Sequence, residues 1–102
     1  MDDPVKLLMT WNIKPGQEQD YFTFVMQELP VVLQRAGLKL TDAWYTVYGD
    51  WPQVRMAFMS ESLTTMQAFL SSPQWLEIKQ RLLMYTQDYQ HKIVRARGGL
   101  QL

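Results

Sequence analysis

Asp42, Trp44 and Tyr48 lie in one short run, Thr-Asp-Ala-Trp-Tyr-Thr-Val-Tyr, at even spacings. Side chains alternate along an extended strand, so these three would stand in a row on one side. A carboxylate in such a row is a candidate general base. A phenol further along it is a candidate donor to an oxyanion or enolate. Asn12, at the end of an earlier alternating run, could bind a carbonyl or an oxygen species. Arg55 and Arg95 could fork a substrate carboxylate, and Trp44 and Thr10 could complete a binding surface. The candidate catalytic residues are therefore Asp42, Asn12 and Tyr48, and the candidate substrate-binding residues Trp44, Arg55, Arg95 and Thr10. Two of them have a plainer reading. Asp42 can pair with an arginine across the sheet or a dimer interface, and Asn12 can satisfy turn backbone.

Other chemistries lack their parts. His91 is the single histidine, and one histidine cannot make a zinc triad. It falls near the end of the last expected helix, where an exposed or capping histidine is the ordinary case. The chain has no cysteine, which removes thiolate metal sites and Cys nucleophiles and suits a reducing cytoplasm. Gly98-Gly99 precedes no helix, so no phosphate loop is present. Neither a metal nor a cofactor is expected.

The 102 residues allow one domain, 1–102, of which about two thirds of the extended surface can be buried on folding. Ten basic and ten acidic residues cancel, which argues against a general nucleic-acid binder. No apolar run approaches the ~20 residues of a membrane span. The acidic start, Met1-Asp2-Asp3-Pro4, does not read as a signal peptide.

The elements that would position the candidates follow from periodicity. Val5 to Ile13 alternates, with every odd position apolar, and Lys14-Pro15-Gly16 ends it as a turn. Gln17 to Ala36 carries apolar residues at three- and four-residue steps and reads as one helix bent at Pro30, with Gly37 as its cap. Leu38 to Tyr48 and Gln53 to Ser60 read as strands of a hairpin. Ser62 caps a short helix, and Ser72-Pro73 starts another whose stripe runs Trp75, Ile78, Leu82, Tyr85, Tyr89. Lys92 to Arg97 reads as a last strand. The order β-α-β-β-α-β predicts an α+β, ferredoxin-like fold: a four-stranded antiparallel sheet with two helices, one of them broken, on one face.

Sorting strands by face gives one side without charge: Val5, Leu7, Met9, Trp11, Ala43, Tyr45, Val47, Val54, Met56, Phe58, Val94 and Ala96. The other side mixes Leu8, Leu40, Trp44, Tyr48, Met59 and Ile93 with Asn12, Asp42, Arg55 and Arg95. So much apolar surface is unusual on a soluble monomer. The face either meets its twin in a homodimer or lines a pocket, and paired sheets could do both. Trp51, in the hairpin turn, is a candidate rim or dimer contact.

The element order, the strand-to-helix opening Trp11-Asn12-Ile13-Lys14-Pro15-Gly16 and the Asp42-Ala43-Trp44-Tyr45 strand resemble the dimeric α/β-barrel superfamily. Within it, the likeness is to NIPSNAP-like and antibiotic-biosynthesis-monooxygenase-like domains. The resemblance covers essentially the whole chain and implies a homodimer. Activity is less constrained, because the superfamily includes cofactor-free monooxygenases, haem-degrading enzymes and isomerases. The haem-degrading branch uses an Asn, a Trp and a His; Met9, Phe69 and Lys79 occupy the matching positions here, so that mechanism is not expected. The leading expectation is a homodimer that binds a small, partly apolar ligand on its inter-sheet face. The alternatives are a cofactor-independent monooxygenase or isomerase, and an interaction module with a filled interface. Neither nucleic acid nor membrane is an expected partner.

Overall fold

The computed structural model describes residues 3–96. Strand β1 (Val5–Ile13) buries every odd residue and leaves the even ones half-exposed, as alternation requires. It lies at the centre of an antiparallel sheet in the order β2-β3-β1-β4, with β2 Lys39–Tyr45, β3 Val54–Ser60 and β4 Thr86–Arg95. Four helices cover one face: α1 (Glu18–Gln27), α2 (Leu29–Arg35), α3 (Leu63–Leu70) and α4 (Pro73–Tyr85). The arrangement is the expected ferredoxin-like one. No helix among the described residues is long and apolar enough to cross a membrane.

The first helical stretch breaks where a bend was expected. Glu28 joins the two helices at φ −115° and ψ −46°, distorted but still right-handed, and Pro30 falls in the first turn of α2, where its missing N–H goes unneeded. Arg81 of α4 forks both carboxylate oxygens of Glu28 (Nη2 to Oε2, 2.6 Å) and lies over the Phe24 ring. Its hydrogen bond holds the Glu28 carboxyl below its ordinary range. At the other end of α2, Gly37 takes φ +89°. Its N–H bonds to the Gln34 carbonyl (3.0 Å) and that of Leu38 to the Leu33 carbonyl (2.9 Å). This pair of bonds closes a Schellman cap, with Leu33 and Leu38 both buried. Ser62 and Ser72 cap α3 and α4 by accepting from the N–H groups of Thr65 and Trp75.

Three expectations are corrected by the sheet. First, β2 is shorter than 38–48, and its register with β3 shifts between Leu40 and Asp42, so Leu40 pairs with Phe58 on the helix side. Second, Tyr45 is 51 % exposed and Val47 90 % exposed, not core. Tyr45 sits on an edge strand, and Val47 lies in the loop beyond it. Third, α4 stops at Tyr85 and β4 begins at once, so Tyr89 and His91 are strand residues. The pairs Leu7–Ile93, Met9–His91 and Val5–Arg95 put Ile93, His91 and Arg95 on the helix side, and Lys92 and Val94 on the open side. A slip of one residue in a strand turns every side chain over. Arg97 and the Gly98-Gly99 tail lie outside the described residues.

The register of β4 is set in the core. The Tyr89 ring stacks on Trp11, with centroids 6.2 Å apart and 13° between planes, and Trp75 lies tilted against it at 6.5 Å. Trp11 is fully buried and donates from Nε1 to the Tyr21 hydroxyl at 2.9 Å. Burial pushes the Tyr21 phenol up to about 12 against the Trp11 hydrogen bond, which lowers it, and burial raises that of Tyr89 as well. The sign of the pH effect follows. Above pH ~10 an unfolded tyrosine loses its proton while these two keep theirs in the fold, so stability is full below pH ~10 and falls beyond it. Thermal melts at rising pH should show the midpoint falling between pH ~10 and ~12, and Tyr21→Phe should flatten that fall. A midpoint flat across this range would contradict the assignment.

Candidate functional site

The open face is ordered by register into rows that run across all four strands. Trp44, Arg55, Thr10 and Gln90 form one row; Asp42, Ala57, Leu8 and Lys92 form the next; Lys39, Met59, Lys6 and Val94 form a third. The bulge at Thr41 brings Asp42 and Trp44 into these rows, because the extra residue restarts the alternation of β2 after Leu40. Thr41 itself donates to the Ala57 carbonyl at 3.2 Å.

A hollow of about 630 Å³ opens on this face. Leu8 and Thr10 line it from β1, Trp44 and Thr46 from β2 and its end, and Arg55 from β3. Gln90 and Lys92 close the β4 side, while Trp51 and Pro52 of the hairpin loop form the rim. The Arg55 guanidinium lies 5.0 Å from the centre of the Trp44 ring, a cation–π contact. No carboxylate among the described residues pairs with Arg55 or Lys92.

The structure brings together Trp44, Arg55 and Thr10 of the candidate residues and separates the rest. Asp42 lies outside the hollow, 3.4 Å from the Lys6 ammonium, with the Thr41 hydroxyl 3.2 Å from the same carboxylate oxygen. The cross-sheet partner is thus a lysine, where an arginine was expected. Asn12 has both ends of its amide in use: Nδ2 donates to Asp88 (3.0 Å), and Oδ1 accepts from the Gln53 backbone (2.8 Å). Gln53 returns a bond to the Ile13 N–H at 2.8 Å, so Asn12 ties the hairpin loop and the β4 bulge to β1. Tyr48 is 96 % exposed in the hairpin loop, off the strand row it was expected to join. Arg95 pairs opposite Val5, on the helix side of the sheet.

Sequence reasoning missed Gln90 and Lys92, because β4 starts six residues before Lys92. The signal that could have found them is Tyr89: a large aromatic opposite Trp11 fixes the face of its neighbours. His91, expected to be exposed or to cap a helix, is an exposed strand residue with Nδ1 2.9 Å from the Tyr89 hydroxyl. Burial, and then the Lys79 charge, hold its imidazole below the ordinary range.

This architecture is shared with solved structures of low sequence identity. A NIPSNAP family protein from Agrobacterium tumefaciens matches with a TM-score of 0.70 and 17 % identity, over 95 % of this chain and 89 % of that one. The chain has the fold of the NIPSNAP proteins. SnoaB, a cofactor-independent oxygenase from Streptomyces nogalater, shares the NIPSNAP-like fold at a TM-score of 0.72 and 13 % identity, covering 96 % and 97 % of the two chains. A hypothetical Arabidopsis thaliana protein does so at 0.76 and 12 %, covering 98 % and 93 %. No protein-family model matches the sequence, and no curated protein matches it significantly. At such identities the likeness speaks for the NIPSNAP-like fold, and function has to be argued from the site.

Proposed function

We propose that two copies of the chain pair through their open sheet faces, and that the hollow between them holds a small, partly apolar ligand. The observation that carries this reading is the open face itself. Trp44 is 58 % exposed at the edge of a hollow lined by Leu8, and Met59 and Val94 extend the apolar surface into the third row. Apolar area of this kind favours a partner, and a two-fold pairing meets it with the same patch. Threonine hydroxyls and the Gln90 amide give a bound molecule a few oriented polar contacts, the usual composition of a ligand pocket. A cytoplasmic location fits a chain without cysteine.

The likeness to SnoaB favours a second reading, a cofactor-independent oxygenase or isomerase. In it Asp42 would act as base, and Asn12 or Tyr48 would steady the resulting anion. The geometry supports binding better, since Asp42 is engaged by Lys6, Asn12 is held at both ends, and none of the three lines the hollow. In a third reading, a plain interaction module, the partner sheet fills the hollow. Light scattering at micromolar concentration tests the pairing, with a dimer expected; a monomer would remove this reading. Amide shifts confined to the residues of the hollow on adding a small apolar compound would separate a ligand pocket from a filled interface.

A further inference from the structure

The charges on the open face are lopsided. Lys6, Lys39, Arg55 and Lys92 stand in its three rows against a single acid, Asp42, in a chain whose formal net charge is zero. Asp42 is already paired with Lys6, and Asp88 is tied to Asn12. No acidic side chain lines the hollow, while Arg55 and Lys92 both do. Two strand spacings, across β1, and two residues along the strand separate them, roughly 12 Å between Cα atoms. Both long side chains can therefore reach one bound group lying over Leu8 and Thr10.

From this geometry we infer that the ligand of the hollow is an apolar carboxylate, its charge held by Arg55 and Lys92 and its hydrocarbon body against Trp44, Leu8 and Trp51. The inference rests on the binding role proposed above and names the ligand class. The Arg55 guanidinium lies over the Trp44 ring, 5.0 Å from its centre, and is in no ion pair among the described residues, so its N–H fork can meet the two oxygens of a carboxylate. Lys92 adds a charge without demanding geometry. Thr10 and Gln90, the neighbours of Arg55 in its row, supply neutral donors beside them. A neutral ligand would leave two cations facing each other's field in a partly enclosed space with nothing to offset them. A cationic ligand would make that worse.

The test uses a matched pair, 2-naphthoate and its neutral isostere 2-naphthamide, titrated calorimetrically into the full-length protein. The acid should bind at least about tenfold more tightly than the amide, and the preference should shrink as salt is raised. Arg55→Gln should remove most of the preference, Arg55→Lys only part, and Lys92→Gln a smaller share. In the single chain Arg55 and Lys92 are exposed and in no ion pair among the described residues, so these variants should keep the wild-type circular dichroism, and light scattering checks that they still pair. Equal binding of acid and amide would overturn the carboxylate assignment and leave the small-ligand role standing. Binding of neither probe by an intact dimer would overturn both. An acid preference that survives in Arg55→Gln and Lys92→Gln would overturn the assignment to these two residues.

Discussion

Replacing Trp11 by alanine is expected to cost about 3–5 kcal/mol, the range for emptying a large aromatic site in a core. That is a large share of the 5–15 kcal/mol typical of a whole domain. Trp11 is the residue on which three elements converge. It sits on the central strand, donates to Tyr21 of α1, and stacks on Tyr89 of β4. Losing it opens a cavity and removes the donor to the Tyr21 hydroxyl. It also removes the surface that sets which way β4 faces. Trp11→Phe should keep most of the burial and lose only the hydrogen bond, at about 1–2 kcal/mol. Urea unfolding of the two variants measures both values. A loss below about 1 kcal/mol in Trp11→Ala would mean that the register of β4 is fixed elsewhere.

The second large effect concerns association. Leu8→Lys puts a charge at the middle of the proposed interface, next to Ala57 in the same row. In a two-fold pair the charge enters twice, and each copy must be desolvated without a partner. The dimer dissociation constant should rise by at least about 100-fold, equivalent to about 2.7 kcal/mol. The monomer should remain folded, because Leu8 faces away from the helices and an even position of β1 takes no part in the core. Sedimentation equilibrium of the variant and the wild type gives the comparison. An unchanged constant would move the interface off the open face.

The NIPSNAP-like fold was legible because most of its instructions are local. Alternation in β1, the serine caps of α3 and α4, and the Pro and Gly punctuation of the first helical stretch each act within a few residues. Part of the candidate site was legible for the same reason: Thr10, Trp44 and Arg55, three of the seven candidates, lie on strands whose alternation the sequence carries. The remainder depends on pairing between distant segments. The spacing from Tyr85 to Tyr89 suits one more helical turn, and it also suits an aromatic on the buried face of a strand. Only the stack on Trp11 chooses between them, and with that choice go Lys92, Gln90 and Arg95. The Thr41 bulge is similar. Thr-Asp-Ala carries no local mark of an extra residue, and only the pairing with β3 shows that Leu40 and Asp42 lie on opposite faces.

The four tryptophans divide evenly between two surroundings. Trp11 and Trp75 are at 0 % and 2 % exposure inside the helix-covered core, while Trp44 and Trp51 are at 58 % and 78 % on the open side. Indole emission shifts to the blue in a dry site and to the red in water, so the native spectrum is a sum of two populations. An aqueous quencher such as iodide reaches one population and not the other. Whatever covers the open face silences quenching at Trp44 and Trp51 and leaves the blue component as it was. Unfolding moves the blue component itself. The chain thus carries two optical reporters, one for its surface and one for its interior, and the two can be read in the same cuvette without any label.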